Sequence, residues 1–443
     1  MKKAQEPRYQ TKKTVAQGVI IMGQFDRKAQ SEPKHGKPSS SGAYKGPPVM
    51  ARGMPIHRKG PSYTPKKKAK QPVPSASATP EPLILEHILP LELEKRTLEI
   101  FRTTFPASND FDSLKPTLQE IKDALNCRDF ETAFGKEEYL EAYTIRWGPS
   151  RTLGYAQLLA WVFTQRTEDE CVQQLTNSTD HQIATKAVCF GGAAAELMAL
   201  SGLVRHLRHS EAAGKPDQQE LQVSEDLATA STSTGVAMPP LLHLNILDAA
   251  DWTSVLSKLE QGLLTPPTLS KYASATVRAT NASFLSPGIA EHAFTRTDIL
   301  SLSTEDLRTA IGTAPALLTL ISTLNGLYTT SMPRTTAFLR RLQEAAPKGS
   351  LLLVVDSPGA YSEVVAVSPT EGEVKRKFPM NLLLDYALLP KPRKVEGDEE
   401  DKPEMAWEKV IDEASMLYRL DDALKYPVSL ENSRFQVHLF KRI

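Results

Sequence analysis

Apolar positions along this chain fall into three regimes. Residues 1–80 show no periodic apolar pattern and are rich in Lys, Pro, Ser and Gly. A segment of that composition cannot offset the entropy of ordering, so a disordered tail is expected. From Leu83 to Gln165 apolar residues recur at helical intervals, as in Leu118, Ile121, Leu125 and then Phe130, Phe134, Tyr139, Leu140, Tyr143. Tyr155, Leu158, Leu159, Trp161 and Val162 continue the series, and the whole predicts an all-α subdomain of about four helices. The second half alternates short apolar runs with helix-period segments. Strands are predicted at Val188–Phe190, Leu241–Ile246, Ala293–Thr297, Leu317–Leu324 and Leu351–Val355, with helices over 194–207, 252–262 and 335–346. Phe435–Phe440 alternates apolar with polar residues and is expected to end the chain as an edge strand. Strands separated by helices imply a mostly parallel sheet with helices on both faces. Polar stretches at 211–240 and 390–404 interrupt this pattern as surface insertions. The expected organisation is therefore a tail (1–80), a helical subdomain (81–178) and an α/β domain (179–443).

Charge changes the picture. The formal net charge of +1 hides a strong segregation. Residues 1–80 hold 17 Lys/Arg and 3 Asp/Glu, a net +14, so the other 363 residues carry a net −13. A basic tail on an acidic body implies a polyanionic partner for the tail. Its densest cluster, Pro65-Lys66-Lys67-Lys68-Ala69-Lys70, fits a nuclear import signal, a counterion-releasing RNA contact or a solvated tail. Cys127, Cys171 and Cys189 have no paired spacing, and His206 and His209 stand too close for a helical ligand pair. Neither a disulfide framework nor a metal site is expected. No apolar run approaches the roughly 18 residues of a membrane span, so no membrane partner is expected.

Candidate chemistry concentrates at predicted strand ends, where open parallel sheets bind ligands. The run through Phe190-Gly191-Gly192-Ala193 enters a helix with Glu196 near its start. Such a turn presents backbone N–H groups and a helix N-terminus to a ligand, or serves only as a packing device. Asp248, with Asp251 as competitor, lies just beyond the second strand, where a carboxylate can accept both hydrogens of a ribose diol. Asp251 equally suits a helix N-cap, and Asp248 a turn. Asp298 could accept an adenine amine or begin a turn. Thr323-Leu324-Asn325 forms the end of the fourth strand, where the Asn325 amide can hold a nucleobase edge or cap a helix. Asp356-Ser357-Pro358-Gly359 reads as a turn or as a substrate loop. No G-x-S-x-G or G-x-x-x-x-G-K-[ST] motif occurs, which removes the main support for hydrolase and nucleotide triphosphatase chemistry.

Several blocks resemble the fungal family of 25S ribosomal RNA uridine-N3 methyltransferases. They are Arg128-Asp129-Phe130, Tyr139-Leu140-Glu141-Ala142-Tyr143, Arg146-Trp147-Gly148-Pro149-Ser150-Arg151, Cys189-Phe190-Gly191-Gly192 with Ala195-Glu196-Leu197, Ile246-Leu247-Asp248-Ala249-Ala250-Asp251-Trp252, Leu352 to Gly359, and Arg434-Phe435-Gln436 with His438-Leu439. The resemblance spans roughly residues 84 to 443. It implies a Rossmann-like class I S-adenosylmethionine (SAM) methyltransferase domain, with SAM as cofactor and a large-subunit ribosomal RNA uridine, or the pre-ribosome, as partner. Phe190, Gly191, Gly192, Ala193, Glu196, Asp248 and Asp298 would then face SAM. Asp356 would be the general base, with Thr323 and Asn325 holding the uracil edge. A nuclear or nucleolar location follows as an expectation, with the cytoplasm as a further one. Two alternatives stay open: a non-catalytic ribosome-assembly factor with a degenerate SAM fold, and a methyltransferase acting on protein or a small molecule.

Overall fold

A two-residue strand, β1 (Leu83–Ile84), precedes the helices α1 (Leu91–Thr104), α2 (Phe111–Asn126), α3 (Phe130–Phe134), α4 (Glu137–Gln165) and α5 (Glu170–Thr176). Alternation then begins with β2 (Thr185–Phe190), α6 (Ala194–Ala213), β3 (Leu242–Asp248), α7 (Thr253–Leu264) and the short α8 (Ala275–Ala279). It continues through β4 (Ala290–Arg296), α9 (Thr304–Ile311), β5 (Ala316–Ile321), α10 (Leu324–Thr330), α11 (Met332–Ala345) and β6 (Leu351–Asp356). A hairpin of β7 (Tyr361–Ser368) and β8 (Gly372–Pro379), then α12 (Met380–Leu388), β9 (Trp407–Tyr418) and β10 (Ser433–Arg442) complete the chain. The computed structural model describes residues 81–176, 184–213, 240–279, 281–359, 361–368, 372–389 and 407–443. The expected tail, residues 214–239 of the first insertion and the whole 390–404 insertion lie outside these residues.

The main sheet has eight strands in the order β1-β9-β10-β6-β5-β2-β3-β4. β6, β5, β2, β3 and β4 are parallel, and β10 runs antiparallel to both β6 and β9. From β2 the chain moves outward to β3 and β4, then returns to the other side of β2 as β5 and β6. That reversal places a crevice at the carboxyl ends of β2 and β5. Apolar runs explain these strands, since every residue of β5 and β6 is buried beneath helices on both faces. Helix α4 is likewise buried on nearly all sides, from Tyr139 to Phe163. One cluster of buried apolar residues extends from Leu85 to Phe440. No helix among the described residues is long and apolar enough to cross a membrane.

Two expectations are corrected. β10 is an interior strand, flanked by β6 and β9. Its polar residues mimic an exposed face but are buried and bonded: Gln436 Nε2 donates to the Ser357 carbonyl at 2.8 Å, and His438 Nδ1 lies 2.7 Å from Asp412 Oδ1. The strand expected over Leu317–Leu324 stops at Ile321. Ser322 turns the chain with φ of +57°, and Leu324 opens α10. The buried apolar side chains of Leu324 and Leu327 extended the run without marking this change.

Candidate active site

The turn after β2 is shaped by close approach. Gly191 has φ of +75°, and a Cβ there would lie 2.4 Å from Thr323 Cγ2. A Cβ on Gly192 would lie 2.7 Å from Cys189 Cβ and 2.8 Å from Glu196 Oε1. Both glycines are therefore required by neighbouring protein atoms. The same turn delivers the chain into α6, whose first residues Ala194 and Ala195 line a cleft with Gly191, Ala193 and Glu196. Glu196 Oε2 accepts the Ala193 N–H at 3.1 Å, satisfying one donor of the helix start. Burial pushes the Glu196 carboxyl up to about 8, opposed by the Ala193 N–H.

Helix α4 forms the opposite wall with Tyr143, Thr144, Gly148, Arg151 and Tyr155, and Trp252, Ile321 and Ser322 complete it. The cleft leaves a cavity of about 20 Å³. Arg151 Nη1 donates to the Tyr143 hydroxyl, and the guanidinium carbon stands 5.2 Å from that ring's centre. The Tyr155 hydroxyl lies 2.9 Å from Ser322 Oγ, so it ties α4 to the turn beyond β5. Ser322 holds a left-handed conformation without being glycine, a strain that concentrates at functional sites.

Two further carboxyls sit at strand ends on this edge. Asp248, the last residue of β3, accepts the Ala250 N–H at 2.7 Å through Oδ1, and burial pushes it up to about 7. The Trp252 indole N–H faces this carboxylate and opposes the rise. Asp356, the last residue of β6, is 1 % exposed. It accepts the Ser357 N–H at 2.8 Å and the Asn325 N–H at 3.2 Å. Burial pushes Asp356 up to about 6, opposed by those amides and by Arg151. Asn325 sits in the first turn of α10 with its side-chain Oδ1 buried and unpartnered.

The remaining candidates have structural partners. Thr323 is fully buried, and its hydroxyl donates to the Ile321 carbonyl at 3.1 Å. Phe190 packs edge-on against Phe338, with ring centres 5.4 Å apart. Asp298 caps the turn at Ile299–Ser301 through Leu300 N–H and pairs with Arg334 at 2.7 Å. Asp251 accepts the Thr253 N–H at 3.2 Å at the start of α7. Gly191, Ala193 and Glu196 thus reach the cleft wall, and Asp248, Asn325 and Asp356 stand at the same sheet edge. Arg151 was not singled out from the sequence. Its signal is there: no charged residue follows it until Arg166, so it heads an apolar stretch that is buried all round.

Residues 101–441 match the family described as "Putative SAM-dependent methyltransferase". The chain is 28% identical over 389 residues to the 25S rRNA (uridine(2843)-N(3))-methyltransferase of Saccharomyces cerevisiae, covering 86% of this chain and 90% of that one. Solved structures similar to it include a SAM-dependent methyltransferase from Clostridium acetobutylicum, at 8% identity and a TM-score of 0.25, covering 63% of this chain and 89% of that one. Human N-acetylserotonin methyltransferase in complex with SAM is similar at 12% identity and a TM-score of 0.22, covering 73% of this chain and 66% of that one.

Proposed function

The chain belongs to this SAM-dependent methyltransferase family, and we propose that it methylates N3 of a uridine in large-subunit ribosomal RNA. The cleft residues fit the cofactor. Asp248, at the carboxyl end of β3, is a buried carboxylate held by the Ala250 N–H and facing the Trp252 indole, at the strand end where a ribose diol would be accepted. Arg151, whose guanidinium bonds the Tyr143 hydroxyl, is suited to the carboxylate of an amino-acid moiety. The first residues of α6 supply a helix N-terminus. When bound, SAM supplies a methyl group on an electrophilic sulfonium.

The uridine assignment follows the yeast relative. The observation in this chain that carries it is the pairing of Asn325 with Asp356. Asn325 Oδ1 is a buried acceptor lacking a donor, and its own backbone N–H is held by Asp356. The carbonyls flanking uracil N3 are acceptors, so the Asn325 side-chain amide is proposed to donate to one of them, which leaves the N3 proton to the base. N3 becomes nucleophilic only when its proton leaves, which calls for a base or for donors to the adjacent oxygens. Asp356 takes that proton in this proposal. Amides from Ser357 and Asn325 offset its burial and keep it ionised above about 6. Opening of the Ser357-Pro358-Gly359 turn would admit the base, which must be single-stranded or flipped because N3 lies on the pairing edge. The basic tail, outside the described residues, is proposed to add RNA affinity and a nuclear address.

Incubating the protein with labelled SAM and ribosomal RNA from cells lacking it tests this reading. Label in RNA is expected. Label found only in protein or small molecules, or SAM binding without transfer, would overturn it.

A further inference from the structure

We propose that the segment between α7 and β4, which includes α8, is a second RNA-contacting surface, with Lys271 and Arg278 meeting backbone phosphates and Tyr272 stacking on a base. This rests on the RNA reading above. Residues 261–290 contain no Asp or Glu, although residues 81–443 carry a net −13. The loop is anchored at its base. Leu285 N–H donates to the Leu263 carbonyl at 3.0 Å, and Asn281 Nδ2 to the Pro267 carbonyl at 2.9 Å. Arg278 Nη2 bonds the Lys271 carbonyl at 2.8 Å and fixes the tip. There Tyr272 is 82% exposed with Lys271 Nζ 4.9 Å from its ring centre. A large aromatic face open to solvent beside a cation contributes nothing to the core, and suits base stacking of low sequence selectivity.

Two more cations hold the segment that returns toward β4. Arg96 Nη2 bonds the Ala282 carbonyl at 2.9 Å, and Arg205 Nη1 bonds the Ser283 carbonyl at 3.1 Å and the Phe284 carbonyl. Neither makes an ion pair among the described residues. Burial and then Arg96 pull Arg205 down to about 10, as expected for neighbouring guanidiniums without an acid. Beside them lies a groove of about 420 Å³ lined by Arg96, Thr104, Gln261, Pro266 and Thr268. Its Glu99 is neutralised by Arg102 at 2.7 Å. A cationic rim, hydroxyl-bearing walls and one exposed ring match a single-stranded nucleic acid.

Binding of full-length protein to a single-stranded oligoribonucleotide and to protein-free large-subunit ribosomal RNA, across a salt series, tests the surface. Tyr272→Ala is expected to weaken binding about tenfold. The Lys271→Ala/Arg278→Ala double variant should reduce the salt slope by about 2. SAM affinity stays unchanged in both variants, which also reports that they fold. Active wild type with both variants binding like it would overturn the surface alone. Wild type that neither binds nor methylates RNA would overturn the parent reading and this surface with it.

Discussion

Thr323 occupies the space that a side chain at Gly191 would need, since a Cβ there would lie 2.4 Å from Thr323 Cγ2. The turn after β2 and the turn after β5 are thus locked face to face at the point where the strand order reverses. Gly191→Ala is expected to destabilise the protein by roughly 1–3 kcal/mol from the left-handed backbone alone, with the clash in addition. Adding Thr323→Ser removes the clashing methyl and should restore part of the loss. Thermal unfolding of the two single variants and the double variant reads this coupling.

Asp248→Asn should weaken SAM binding by roughly ten- to hundred-fold, the scale of a lost hydrogen bond to a charged acceptor. Burial holds this carboxyl near 7, so wild-type affinity is expected to rise with pH through that value and level off above it. Calorimetric titration over pH checks both. The Asn variant should lose the rise near 7.

Ligand-free stability should fall with rising pH. Burial raises Glu196, Asp248 and Asp356 to about 8, 7 and 6 in the folded protein. The folded state therefore holds protons that the unfolded chain releases nearer the ordinary carboxylate values of 4.5 and 3.8. Their stabilising contribution is complete below the unfolded values and is lost as pH rises through the folded ones. Glu196→Gln should flatten the upper part of that decline in melting curves.

Arg151→Met should raise the KM for SAM by about tenfold or more while RNA affinity holds, because the guanidinium faces the cleft from α4. Arg151→Lys retains the charge without the fork and should recover only part. Initial rates at varied SAM concentration separate these outcomes.

The sheet and the glycine turn were legible because runs such as Leu351–Val355 are buried throughout, and a parallel strand buried on both faces has no other pattern. Asp248, Asn325 and Asp356 were legible for the same reason, as polar residues following such runs. Other features were not. A continuous apolar run does not say whether it continues as strand or helix, so Leu324 was joined to β5. Gln436 and His438 looked solvent-facing because their partners, Ser357 and Asp412, lie on other segments. Arg151 sits in a helix far along the chain from the glycine turn, and only tertiary packing brings it to Glu196. Thr323 and Asp298 stand where the sequence placed them, and their bonds to the Ile321 carbonyl and to Arg334 could not be read from it.

Asp356→Asn should lower kcat by about 10²–10⁴, the range of a lost general base, with SAM and RNA binding kept. An acid limb near 6 in the wild-type pH–rate profile, set by the buried carboxyl, should disappear in the variant.

The most direct measurement is nucleoside analysis of ribosomal RNA methylated in vitro by the full-length protein. Digestion and mass spectrometry distinguish methylation at uracil N3 from methylation at C5 or the ribose 2′-oxygen. The account predicts 3-methyluridine as the product, made by wild type and nearly absent with Asp356→Asn. A methyl group on carbon, on ribose or on another base would contradict it.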